Sequence, residues 1–134
     1  MASIFSRIIA GEIPSYKIAE DEKCFAFLDI NPIVFGHTLV IPKKEIDYYF
    51  DLDDDYLADL NAFAKKVAHA LQQEVDCIRI GVMIAGLEVP HAHIHLVPIQ
   101  SVGDLSFRNP RPTVSKEEMA ALAERVSKAF IEKG

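Results

Sequence analysis

Tryptophan is absent, cysteine occurs only twice, and basic residues are outnumbered. Two cysteines in 134 residues exclude a domain built on disulfides. Cys24 opens the apolar run Cys24-Phe-Ala-Phe-Leu28 and Cys77 precedes Ile78. Both read as buried thiols, because a catalytic thiolate needs a positive, partly exposed setting. No stretch approaches the roughly 18 consecutive apolar residues of a membrane span. The start of the chain lacks the long apolar core of a signal peptide, so a cytoplasmic protein without a membrane partner is expected. Lys and Arg total 14 against 20 Asp and Glu, a net charge of -6. That balance argues against a surface tracking nucleic-acid phosphates. A small anionic ligand in a locally positive pocket remains compatible with it.

What is present describes one globular domain over residues 1–134: half the residues are hydrophobic and a quarter are charged. No repeat, linker or low-complexity run divides it. Ser3 to Ala10 reads as a short helix stopped by Gly11. Tyr16–Glu20 and Cys24–Asp29 read as strands around a polar turn, and His37–Pro42 as a third strand entered through Gly36. Acidic residues 51–55 open a long helix carrying Leu57, Leu60, Ala64, Val67, Ala68, Leu71 and Val75 at helical spacing. Residues 77–84 and 91–99 read as the fourth and fifth strands. Ser115 and Glu118 form the capping box of a last helix striped with Met119, Leu122, Val126 and Phe130. Strands in a block, one helix inserted and one appended, predict an α+β domain: an antiparallel sheet of about five strands with a long packed helix and a C-terminal helix.

The informative segment is Pro90-His91-Ala92-His93-Ile94-His95-Leu96-Val97. On a strand, alternate residues share a face and lie about 6–7 Å apart. His91, His93 and His95 therefore point one way, and Ala92, Ile94 and Leu96 the other. Three imidazoles on one face forgo apolar burial and must satisfy six ring nitrogens, an expense that plain packing does not explain. Two chemistries fit. A His-x-His pair supplies zinc ligands. Alternatively, one neutral imidazole attacks phosphorus while its neighbours bind the phosphate. His69, alone in the middle of the long helix, reads as a surface residue.

With these residues in place the chain resembles the histidine triad (HIT) superfamily of nucleotide hydrolases and transferases, in its Hint-like branch. The likeness covers nearly the whole chain. The triad is joined, in order, by Ile8-Ile-Ala-Gly-Glu-Ile-Pro-Ser-Tyr16, Ala26-Phe-Leu-Asp-Ile-Asn-Pro32 and Gly36-His-Thr-Leu-Val-Ile-Pro-Lys43. The resemblance implies a HIT-like fold and a homodimer joined through the long helix and a sheet edge. It implies His93 as the nucleophile, His95 and His37 as flanking phosphate-binding or orienting residues, and His91 as the first triad histidine. It further implies Asp29 for the ribose hydroxyls, and Phe5, Ile8, Phe27 and Ile30 for the base. The expected activity is cleavage of a P–N or P–O bond at the α-phosphate of a purine nucleotide, such as an adenosine phosphoramidate. It would proceed through a nucleotidyl-histidine and need no cofactor. A nucleotide-binding module with little catalysis, a nucleotidyl transferase or dinucleoside polyphosphate hydrolase, and a metal-dependent hydrolase are the alternatives.

Two departures from the family pattern stand out. Many bacterial relatives hold a structural zinc with a Cys-x-x-Cys pair, a later histidine and the first triad histidine. The matching positions here are Ser3, Ser6 and Glu45, so no such zinc is expected. The turn before the triad reads Gly86-Leu87-Glu88, where the family usually has Gly-Gln and then Ser or Thr. Gly86 and Glu88 belong to the expected phosphate-facing turn. There Glu88 invites pairing with a cationic amine leaving group.

Overall fold

The computed structural model describes residues 2–133. Its elements are α1 (Ile4–Ile9), β1 (Lys17–Glu20), β2 (Cys24–Leu28), β3 (Thr38–Pro42), α2 (Asp54–Glu74), β4 (Arg79–Met83), β5 (Ile94–Ile99) and α3 (Lys116–Lys133). The five strands form one sheet in the order β1-β2-β3-β5-β4, every neighbouring pair antiparallel. This is the α+β architecture that the strand and helix patterns predict.

The alternation along the strands sorts the side chains into two layers. Ile18, Ala26, Leu28, Val40, Ile94 and Leu96 face α2 and α3 and form the larger core. The helices meet it with Leu60, Phe63, Val67, Leu71, Leu122 and Val126. Phe63 completes that stripe beside the residues read from the periodicity. On the opposite face Phe5 from α1 closes over Phe25, Phe27, Leu39 and Ile41. The helices thus cover one side of the sheet except along β4, where Val82, on the same face as Leu96, is exposed, and α1 covers one end of the other side. The histidines lie on this second face beside that cluster, His93 against Phe5 and His95 against Phe107.

Helix boundaries follow their caps. Ser3 accepts the Ser6 N–H at 3.0 Å and starts α1. Asp53 accepts the Tyr56 N–H at 2.8 Å and starts α2, leaving Asp51 in a preceding single turn of 3-10 helix. Ser115 and Glu118 exchange the expected bonds ahead of α3. His69 is exposed on α2, as expected. Cys24 is fully buried, and desolvation pushes its thiol up to about 12.

Three strand boundaries need correcting. The fifth strand begins at Ile94, not at His91, and the β3–β5 ladder ends at Val40↔Ile94. Beyond that point the chain turns aside: the Ala92 N–H goes to the Ile46 carbonyl at 2.7 Å and the His91 N–H to Val89. The Pro42 carbonyl is taken by the His91 ring at 2.8 Å. A side chain thereby replaces a ladder bond, and only His95 of the triad lies on a paired strand. The fourth strand is likewise shorter than residues 77–84, and the third begins at Thr38.

Candidate active site

His37, at the entrance to β3, and His91, His93 and His95, leading into and along β5, are all buried. Each ring has at least one partner whose role as donor or acceptor is fixed, and these partners set the tautomers of the neutral rings. The Ile33 N–H donates to His37 Nδ1 at 3.0 Å, so that nitrogen carries no proton and Nε2 does. His37 Nε2–H then donates to His95 Nδ1 at 2.9 Å. His95 must therefore keep its proton on Nε2. That atom is buried and has no hydrogen-bond partner. It is a donor aimed into a recess and left for a ligand.

His93 has the opposite tautomer. Its Nδ1 lies 2.7 Å from the His91 carbonyl, an acceptor only, so Nδ1 carries the proton. Its Nε2 presents a lone pair beside the His95 donor, the two rings meeting edge to face at 4.9 Å. Phe5 braces the His93 ring at 5.1 Å and Phe107 braces His95 at 5.1 Å. Burial drives His37 and His95 toward neutrality. It lowers His37 to about 3 and His95 to about 4, with mutual repulsion among the rings and Arg111 adding to the effect. Desolvation also lowers His91. A neutral acceptor nitrogen beside a neutral N–H donor can attack an electrophile and hold the oxygen that becomes negative.

The recess, a cavity of about 250 Å³, is lined by Phe5, Asp29, Glu88, His93, His95 and Arg111 among others. Asp29 lies where β2 ends. One of its oxygens accepts the Asn31 N–H at 2.8 Å and the other stands 3.7 Å from His37 Nε2. Burial raises its carboxyl above the usual range. Of the residues expected around a base, Phe5 lines the recess. Phe27 packs edge-on behind Phe5 at 5.6 Å, and Ile8 packs on the same cluster, so both support the wall from beneath. Ile30 is exposed beside Asp29. Gly86, at φ +80°, makes the turn but lines a neighbouring recess of about 300 Å³ with Phe50, Leu87 and His93. Glu88 does not face away: its carboxylate lies 3.6 Å from His95 Nε2 and 3.8 Å from His93 Nε2.

The periodicity gives no hint of Phe107 and Arg111. Both lie in the segment before α3. Arg111 donates to the Asn31 carbonyl at 2.7 Å and to the Phe107 carbonyl at 3.2 Å, its guanidinium 5.8 Å from the Phe107 ring centre. The available signal was chemical: an aromatic and two arginines close together in an acidic chain.

Ser3, Ser6, Glu45 and His91 do converge, but as a hydrogen-bonded clasp. The Ser3 hydroxyl donates to His91 Nδ1 at 2.7 Å, because His91 Nε2–H is committed to Pro42. The Ser3 N–H and the Ser6 hydroxyl both donate to Glu45 Oε1 at 2.6 Å. A zinc ion would find two hydroxyls, poor ligands, and groups already satisfied by one another; these residues do not fit it. Glu88, His93 and His95 also have ligand atoms within 4.8 Å of one another. There the proton that His37 fixes on His95 Nε2 occupies the lone pair a metal would need.

The arrangement has counterparts in known proteins. The HIT domain model matches residues 10–102. The adenosine 5'-monophosphoramidase of Schizosaccharomyces pombe is 37% identical over 129 residues, 95% of this chain and 97% of the relative. A hypothetical histidine triad nucleotide-binding protein from Sulfolobus tokodaii superposes with a TM-score of 0.83 at 32% identity, covering 96% of this chain and 91% of the other. A Zn-bound histidine triad family protein from Mycobacterium smegmatis superposes at 0.81 with 28% identity, covering 99% and 96%. The fold and the buried histidines define a histidine triad domain. The chain belongs to the HIT family.

Proposed function

We propose that this protein is a nucleotide hydrolase that cleaves a P–N or P–O bond at the α-phosphate of a purine nucleotide, with an adenosine phosphoramidate as the type substrate. The observation that carries this reading is the paired tautomers at the recess: a lone pair on His93 Nε2 next to an unpartnered N–H on His95 Nε2. His93 displaces the leaving group and forms a nucleotidyl-histidine, and water then releases the nucleotide. His95 holds a non-bridging oxygen throughout, with its proton fixed by His37. Asp29 accepts the ribose hydroxyls, Phe5 and the apolar cluster behind it receive the base, and Arg111 offsets the phosphate charge. The monophosphoramidase activity named for the Schizosaccharomyces pombe relative supports the substrate class. The chemistry requires no metal.

The working form is a homodimer. Val82 in the free edge strand β4, with Ile78 and Ile84 just outside its two ends, is exposed, an apolar row suited to a second copy. The covalent step is tested by intact-protein mass spectrometry after brief mixing with an adenosine phosphoramidate. A mass increase of one nucleotidyl group, lost in His93→Ala, is expected. Turnover with no adduct, and near-normal turnover in His93→Ala, would overturn the reading.

A further inference from the structure

Cleaving a P–N bond requires a proton on the departing nitrogen, and the second step requires that a proton leave the attacking water. The residues assigned so far handle neither. His93 Nε2 is occupied by phosphorus once the first bond forms. His95 Nε2–H is a donor whose loss would leave an imidazolate, and its other nitrogen is held by His37. His91 is bonded at both nitrogens. Asp29 has one oxygen on the Asn31 N–H and the other toward His37. Arg111 keeps its charge at any working pH.

Glu88 is the remaining titratable group on the recess among the described residues. Its side chain is 50% exposed, so it exchanges protons with solvent, while Oε1 stands 3.8 Å from His93 Nε2 and 3.6 Å from His95 Nε2. It therefore lies within a phosphoryl group's width of the nucleophile, in the space where leaving group and water must pass. It sits on an open turn, Ile84 to Pro90, in which no residue belongs to a strand or helix. The role requires that its side chain swing toward the solvent side of the recess to admit the phosphate.

Resting on the hydrolase reading above, we infer that Glu88 is the acid–base residue of both steps. In the first, the His93 Nε2 lone pair bonds to phosphorus, the P–N bond breaks, and the nitrogen takes the proton of the Glu88 carboxyl and leaves as a neutral amine. In the second, a water oxygen bonds to phosphorus and its proton passes to the Glu88 carboxylate. The P–Nε2 bond then breaks and its electron pair returns to His93. One water is consumed, and nucleotide and amine are released. Over the full cycle Glu88 gives up one proton and recovers one, so its state is restored. One group serves both steps because the leaving amine and the attacking water occupy the same side of phosphorus, opposite His93.

Two substrates test this role: an alkyl phosphoramidate of AMP, whose amine needs a proton, and the p-nitrophenyl ester of AMP, whose leaving group departs as an anion. In Glu88→Gln, kcat/KM for the amine substrate is expected to fall at least about a hundredfold, within the range for a lost general acid. The ester should still react in its first step, giving a burst of one nitrophenolate per site while nucleotidyl-His93 accumulates in the intact mass. In Glu88→Ala, added formate should restore turnover. Wild-type rates on both substrates, equal losses on both without an accumulating adduct, or a change confined to KM for cationic amines would overturn the acid–base role. If the wild-type protein forms no adduct and turns over neither substrate, the hydrolase reading itself fails and the role of Glu88 falls with it.

Discussion

Acid should unfold this protein through the same histidines that build the site. In the folded chain burial holds His37 at about 3 and His95 at about 4, against an ordinary 6.5. Unfolding returns both to water, where they take up protons below that value. A depressed histidine therefore favours the folded state fully above pH 6.5, and the benefit is lost as pH falls toward the folded values. At pH 5 the unfolded chain carries nearly one more proton at each site. With about 1.36 kcal/mol per unit, each histidine then costs about 2 kcal/mol, and the pair shifts the unfolding free energy by roughly 2–3 kcal/mol per pH unit. His91, lowered by the same desolvation, acts in the same direction. Asp29, whose carboxyl is raised, acts oppositely, and Glu20 and Glu45, which are lowered, contribute only nearer pH 4. A loss of about 4 kcal/mol from the pair is a large part of the 5–15 kcal/mol that holds a typical domain together. Urea unfolding followed by circular dichroism, at fixed protein concentration between pH 7.5 and 5, measures it. His37→Phe should flatten the slope by about half while lowering stability at pH 7.5, since it strands the Ile33 N–H. An unfolding free energy that stays level from pH 7.5 to 5 would refute the neutral, desolvated histidines.

Other outcomes follow from the same geometry. His93→Ala should lose at least about a hundredfold in turnover while nucleotide affinity, measured by calorimetry, changes little, as expected of a group acting mainly in the transition state. Purified protein should contain no stoichiometric zinc by elemental analysis, and a strong chelator should leave turnover unchanged; about one zinc per chain would contradict the clasp. Ser3→Ala should cost about 2 kcal/mol in urea unfolding, because it removes the cap of α1 and leaves the buried His91 Nδ1 only the longer contact with the Ser6 hydroxyl at 3.4 Å. Val82→Lys, placing a charge on the free edge of β4, should convert a dimer to a monomer in sedimentation velocity with little change in circular dichroism.

The layers of this fold could be read from period alone, because Ile94 and Leu96 alternate with His93 and His95 just as Val40 alternates with Leu39 and Ile41. The start of α3 was legible through the Ser115–Glu118 capping box, whereas the acidic run from Asp51 to Asp55 marked the start of α2 only approximately, and the structure sets it at Asp53. The start of β5 was not legible: whether His91 pairs as a strand residue depends on Pro42, 49 positions earlier, offering its carbonyl to the His91 ring. The same distance in sequence hid the tautomers. His95 holds its proton on Nε2 only because His37, 58 residues away, is itself fixed by the Ile33 N–H. Phe107 and Arg111 come from a segment without hydrophobic period, so only their place in three dimensions brings them to the recess. Glu88 was visible as an odd residue on the turn, but its direction rested on the path of the backbone.

The clasp between α1 and the end of β3 has a consequence for the conditions under which the site stays intact. A wall fastened by two serines, a glutamate and a histidine contains nothing that peroxide readily attacks and nothing that a competing metal-binding protein can extract. The two thiols of the chain lie elsewhere: Cys24 is sealed beneath the helices and Cys77 follows the end of α2. Zinc starvation and oxidative stress would therefore leave the position of Phe5 against His93 untouched. In a relative whose helix is moored by thiolates and a metal, the same stresses would loosen the nucleotide slot first.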